Sequence, residues 1–149
     1  MLPGMSFEER VVLITGGANG FGRATGARLA GLGARLVLAD IEEEAGREAA
    51  EEIGAEFVAC DVRDPEASVA AVEYAVSKFG GLDYAFLNAG ISTGCGLVES
   101  FDLDLYRRAM QVNLDGVVFG INAAVPAMRR RGGGSIVATV WASGSAIVR

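Results

Sequence analysis

Short apolar runs alternate with longer segments of helical pattern along this chain, and that alternation predicts its elements. Val11–Thr15 reads as a first strand, and a helix follows from Gly22 to Leu32, with Gly33 where a helix stop belongs. Arg35–Ala39 reads as the second strand. Glu42–Ile53 is the next helix, with acids in its first turn and Gly54 just past its end. Glu56–Cys60 is a third strand. Asp64-Pro65 reads as an N-cap followed by proline at the first helical position, opening a helix that runs to Phe79 and stops at Gly80-Gly81. Tyr84–Leu87 is a fourth strand that leads into a glycine-bearing loop. Ser100 and Asp102 are candidate caps for a long helical region reaching Arg131, as one helix or two in succession. Gly132 to Gly134 break it, and Ser135–Val140 is a fifth strand. Strands alternating with crossover helices build a parallel sheet with right-handed connections. The expected fold is α/β: a doubly wound parallel sheet of about five strands.

Composition narrows the class. At 149 residues the chain suits one domain, 1–149, and such a domain buries roughly 68–70% of its unfolded surface. A net charge of −6 argues against a nucleic-acid partner, because phosphate contacts need a basic surface. The basic cluster Arg129-Arg130-Arg131 reads as a helix C-terminal turn. Cys60 and Cys95 have no metal-ligand spacing, so no metal site is expected and both read as reduced thiols. Met1 to Arg10 carry no apolar signal segment. The most apolar long stretch, Ala109 to Met128, includes Asn113, Asp115, Asn122 and Pro126, which a membrane span tolerates poorly. The expectation is a soluble, cytoplasmic protein with no membrane partner.

The chemistry concentrates at Thr15-Gly16-Gly17-Ala18-Asn19-Gly20-Phe21-Gly22, between the first strand and the first helix. A glycine-rich loop there is a phosphate cradle: glycines let the backbone approach a pyrophosphate, and the positive end of the helix dipole favours the anion. The spacing is Gly-x3-Gly-x-Gly rather than GxGxxG; Gly16, Gly20 and Gly22 are its glycines, and Asn19 and Phe21 lie within the loop. Asp40 ends the second strand, where an acid is placed to hydrogen-bond a ribose 2′-hydroxyl. Asp40 would repel a further phosphate on that ribose, and Ala18 and Ile41 supply no cation for one.

Together these residues resemble the short-chain dehydrogenase/reductase family. The glycine run is similar to its TGxxxGxG motif. Asp61-Val62, closing the third strand, resembles its adenine-contacting pair, and Asn88-Ala89-Gly90, closing the fourth, its NAG motif. Asn113, in the long helical region, resembles the family's catalytic asparagine. The resemblance covers Arg10 to about Val140. It implies a Rossmann fold that binds NAD, hydride transfer to or from a small alcohol or carbonyl compound, and a homo-oligomeric full-length form.

The chain also departs from the family pattern. The family's tyrosine–lysine pair, YxxxK, follows the fifth strand, and this chain stops at Arg149 before that helix. Its literal YxxxK, Tyr74 to Lys78, lies between strands three and four. Tyr74 reads as partly buried helix packing and Lys78 as a solvated helix end. Trp141 falls where the family carries its catalytic serine, with Ser143 and Ser145 displaced from that register. The expectation is therefore a C-terminally truncated, incomplete Rossmann domain: the cofactor-binding portion of an NAD-dependent oxidoreductase, inactive by itself. The rivals are a non-catalytic dinucleotide-binding module or pseudoenzyme, and a Rossmann-like methyltransferase, whose glycine motif differs and which has no counterpart of NAG.

Overall fold

A computed structural model describes residues 6–92 and 94–139. Five parallel strands form one sheet: β1 (Val11–Thr15), β2 (Arg35–Asp40), β3 (Glu56–Ala59), β4 (Tyr84–Leu87) and β5 (Ser135–Ala138). Their spatial order is β3-β2-β1-β4-β5, so the chain steps outward from β1 on one side and then crosses back to the other. Five α-helices connect them: α1 (Gly20–Ala30), α2 (Glu43–Ile53), α3 (Pro65–Phe79), α4 (Leu103–Met110) and α5 (Gly116–Arg131).

β1 shows why the strands read as unbroken apolar runs. Both faces of a central parallel strand are covered, so both sets of alternating side chains must be apolar. Val11 and Leu13 pack on one face with Ala71, Ala75 and Ala124 of α3 and α5. Val12 and Ile14 pack on the other with Ala49 and Ala50 of α2. Register follows the same logic, with Ile14 beside Leu38 on β2 and Phe86 on β4.

Element ends follow local chemistry. Asp64 caps α3 by accepting from the Glu66 N–H at 2.9 Å, ahead of Pro65. Gly54, Gly80 and Gly132 end α2, α3 and α5 in the left-handed conformation. Asp102 caps α4, accepting from the Asp104 and Leu105 N–H groups at 3.0 Å each. Ser100 does not cap it; its hydroxyl closes a 3-10 turn, Val98–Ser100, on Leu97. The long helical region is α4 and α5 joined by a single π turn, Gln111–Asp115. Several boundaries differ from the sequence reading. α1 starts two residues earlier, at Gly20, and ends at Ala30, with Gly31 as its cap, while Gly33 (φ 87°) turns the chain into β2. β2 extends to include Asp40, and β3 and β5 end at Ala59 and Ala138.

Candidate functional site

The carboxyl ends of β1, β2 and β4 meet in one cleft. Thr15, the last residue of β1, accepts through Oγ1 from the Asn88 N–H at 3.0 Å and the Ala89 N–H at 3.2 Å. Asn88 returns the bond, its Nδ2 donating to the Thr15 carbonyl at 3.2 Å and the Gly16 carbonyl at 3.3 Å. These contacts staple the glycine loop to the end of β4. They also explain the glycines. A Cβ on Gly16 (φ 66°) would stand 2.9 Å from Ala89 Cα, and one on Gly22 would clash with the Gly16 carbonyl and stand 2.9 Å from Asn88 Nδ2. Gly20 (φ 53°) faces open space instead, at the first turn of α1, where unsatisfied helix N–H groups and the dipole favour an anion.

The cleft measures about 550 Å³ and is lined by Gly16, Asn19, Gly20, Phe21, Ala24, Asp40, Asn88, Ala89 and Gly90. Asp40 is anchored within it: Oδ2 accepts from the Ala18 N–H at 2.9 Å and Oδ1 from the Glu42 N–H at 3.1 Å. Each oxygen keeps a second acceptor direction for a ligand hydroxyl.

A narrower recess of about 120 Å³ continues from it, sharing Gly16, Asp40, Ala89 and Gly90 and adding Ile41, Cys60, Asp61, Val62, Arg63 and Arg108 among its walls. Val62 is buried, and Gly116 lets the start of α5 close on it. Arg63 hydrogen-bonds both Asp61 oxygens and so holds that carboxyl below its ordinary value against the opposing pull of burial. Burial pushes the Cys60 thiol up to about 11, with Asp61, Asp64 and Asp40 adding to the effect, so it is a poor nucleophile at neutral pH.

Asn113 sits in the π turn between α4 and α5. Its Oδ1 accepts from the Ile91 N–H and its Nδ2 donates to the Ile91 carbonyl, both at 2.9 Å. The side chain thereby fixes the backbone that leaves Asn88-Ala89-Gly90. A π turn inserts one residue into the helix ladder, and here it carries this inward amide.

The structure brings Gly16, Asn19, Gly20, Phe21, Asp40, Asn88, Ala89 and Gly90 around the main cleft, places Asp61 and Val62 in the recess, and puts Gly22 behind the loop. It separates Tyr74 and Lys78 from all of them. Tyr74 Oη donates to Glu56 Oε2 at 2.7 Å, and Lys78 Nζ lies 2.9 Å from Glu56 Oε1, at the start of β3 and the opposite end of the sheet. Lys78 is an exposed residue in the last turn of α3, as the sequence reading has it, and there it pairs with Glu56. Trp141, Ser143 and Ser145 lie outside the described residues. Sequence reasoning missed Thr15 as a hub and Arg63 and Arg108 as recess walls. The threonine stood within the quoted glycine run, but its role depends on the β1–β4 pairing.

A family model described as short chain dehydrogenase matches residues 10–147. The chain is 43% identical over 137 residues to a short-chain dehydrogenase reductase of Arabidopsis thaliana, covering 91% of this chain and 50% of that protein. It is 45% identical over 139 residues to trans-4-hydroxycyclohexanecarboxylate dehydrogenase of Sinomonas cyclohexanicum, covering 86% and 53%. The crystal structure of levodione reductase superposes with a TM-score of 0.84 at 35% identity, covering 89% of this chain and 54% of that one. The chain thus spans about half the length of the curated relatives it matches.

Proposed function

The chain belongs to the short-chain dehydrogenase/reductase family, and from that premise we propose that it is the NAD-binding portion of an oxidoreductase acting on a small alcohol or carbonyl compound. The observation that carries this reading is the convergence on one cleft of the glycine loop, the Asp40 carboxylate and the Asn88-Ala89-Gly90 corner. Gly20 leaves room where a side chain would fill the cradle, so the residues present fit a dinucleotide. When bound, the nicotinamide supplies the hydride acceptor or donor.

The chain's own residues bind and orient. The backbone from Gly16 to Gly22 and the N-terminus of α1 hold the pyrophosphate. Asp40 accepts from the ribose hydroxyls, Asp61 and Val62 meet the adenine, and Asn88 holds the loop against β4. Asn113 acts in the catalytic region by fixing the Ile91 backbone. The same reading carries with it a cytoplasmic location and a homo-oligomeric full-length form. Among the described residues no helix is long and apolar enough to cross a membrane.

NAD is preferred over NADP because Asp40 would face the 2′-phosphate. Unit like charges about 4 Å apart at an effective dielectric near 20 repel by roughly 4 kcal/mol. Titration of both dinucleotides into the folded protein tests this. NAD should bind far more tightly, and equal or tighter NADP binding refutes the assignment. Asp40→Arg should move the preference towards NADP.

A second reading, binding without turnover, is favoured for residues 1–149 by one observation. Their YxxxK pair is held by Glu56 at the far end of the sheet. General acid–base catalysis contributes about 10²–10⁴-fold, and nothing in that pair reaches the cleft. NADH formation from secondary alcohols should be undetectable, and turnover abolished by Tyr74→Phe would overturn this reading.

A further inference from the structure

Arg63 makes a contact in the recess that the proposed function does not use. It follows Asp61 by two residues, in the turn between β3 and α3. Its backbone N–H donates to Asp61 Oδ1 at 3.0 Å, its Nε to Oδ1 at 2.9 Å and Oδ2 at 3.1 Å, and its Nη2 to Oδ2 at 2.6 Å. A carboxylate offers about four acceptor directions, and these contacts cover them. An adenine exocyclic amine is a donor and needs one of those directions. Arg108 of α4 lines the same recess and adds a second positive charge facing Asp61.

We propose that Arg63 is a latch on the adenine subsite: its guanidinium occupies the acceptor edge of Asp61, and an adenine nucleotide binds by displacing it. The latch rests on the dinucleotide reading of the cleft. It is weak enough to open, because the Arg63 and Asp61 side chains are 41% and 36% exposed and exposed ion pairs contribute little. Opening needs no backbone change. The guanidinium swings towards solvent, while the Arg63 N–H stays on Oδ1 and frees Oδ2 for the amine.

The sign of the effect separates this mechanism from simple electrostatics. A dinucleotide is an anion, so removing a nearby cation should weaken binding if charge alone matters. If Arg63 competes for Asp61, removing it should tighten binding. Arginine spans both oxygens as a fork, whereas lysine is a point donor, so Arg63→Lys should fall between the parent and Arg63→Gln. Arg47→Gln on α2, where Arg47 pairs with Glu43, removes the same charge away from the recess.

The test is equilibrium binding of AMP, NAD and nicotinamide mononucleotide to the 149-residue chain and these three variants, at concentrations where each is monomeric. Arg63→Gln should bind AMP and NAD about two- to fivefold more tightly, the range an exposed ion pair allows. Nicotinamide mononucleotide, lacking adenine, should be unaffected, and Arg47→Gln should not tighten any of them. Unchanged or weaker AMP binding in Arg63→Gln, with the parent binding NAD, overturns the latch and leaves the dinucleotide reading standing. Failure of the parent and every variant to bind NAD or AMP overturns both.

Discussion

The two ends of the sheet use the same residue types for opposite purposes. At the amino end, Asp83 is 5% exposed and accepts from the Val11 N–H at 2.9 Å, with Arg10 at 3.2 Å and Arg131 at 3.5 Å. It ties β1, β4 and the end of α5 together, and its carbonyl accepts from Ser135 at the start of β5. Glu56 does the same at the edge strand by gathering Tyr74 and Lys78. At the carboxyl end, Asp40 and Asn88 are held by backbone groups and still border a cleft. A carboxylate gathered by side chains from several elements, away from the cleft, acts as a staple. One anchored from behind, with acceptor directions left over, is placed to bind. Residue type alone does not distinguish the two, and topology does.

The comparison can be broken most severely at its staple. Asp83→Ala should cost about 2–4 kcal/mol of stability, because it leaves the Val11 N–H and two guanidinia without their shared acceptor. Urea unfolding measures the loss, and NAD affinity of the folded variant should stay within about twofold of the parent. A parallel collapse of affinity would show that the two ends are not separable.

Gly22→Ala attacks the other end. Its Cβ has no room behind the Gly16 carbonyl, so about 1–3 kcal/mol of stability should be lost. NAD binding should fall with it, because the loop must move. Retention of parent-like affinity in a calorimetric titration would argue that the loop is not the cradle.

Acid should sharpen the contrast. Burial pulls the Asp83 carboxyl upward, but the Val11 N–H, Arg131 and Arg10 outweigh it and hold it below its ordinary 3.8. A depressed carboxyl contributes stability that is present above pH 3.8 and lost as pH falls through the lower folded-state value. Each unit of depression is worth about 1.4 kcal/mol. The acid limb of a stability–pH curve should therefore flatten in Asp83→Ala; an unchanged limb would remove Asp83 from the account.

Tyr74→Phe is the mildest change. It removes one hydrogen bond to Glu56, should cost about 1 kcal/mol, and should leave NAD affinity untouched. Altered cofactor affinity would place Tyr74 nearer the cleft than the fold allows.

Much of the carboxyl end was legible in the sequence. The strands announced themselves because both faces of the sheet are buried, so β1 and β2 are apolar almost throughout. The glycine spacing marked the loop, and Asp40 marked the end of β2. The amino end was opaque. Asp83 meets Arg10 and Arg131 only once β1, β4 and α5 are assembled, and Lys78 finds Glu56 only when α3 packs beside β3. The π turn was invisible because no residue type marks it, and the pattern left one helix or two in succession open. Asp61 was singled out by resemblance as an adenine contact, but its grip by Arg63 was not legible, since sequence spacing does not say where a long side chain folds back.

Amide hydrogen exchange with and without NAD tests the central claim most directly. Slowed exchange should be confined to the loop from Gly16 to Gly22, the end of β2 at Asp40, the turn at Asp61 and Val62, and Asn88 to Gly90. Asp83, Tyr84 and the turn from Arg131 to Ser135 should be unchanged. Protection at that amino end, or none at the glycine loop, would contradict the division of labour between the two ends of the sheet.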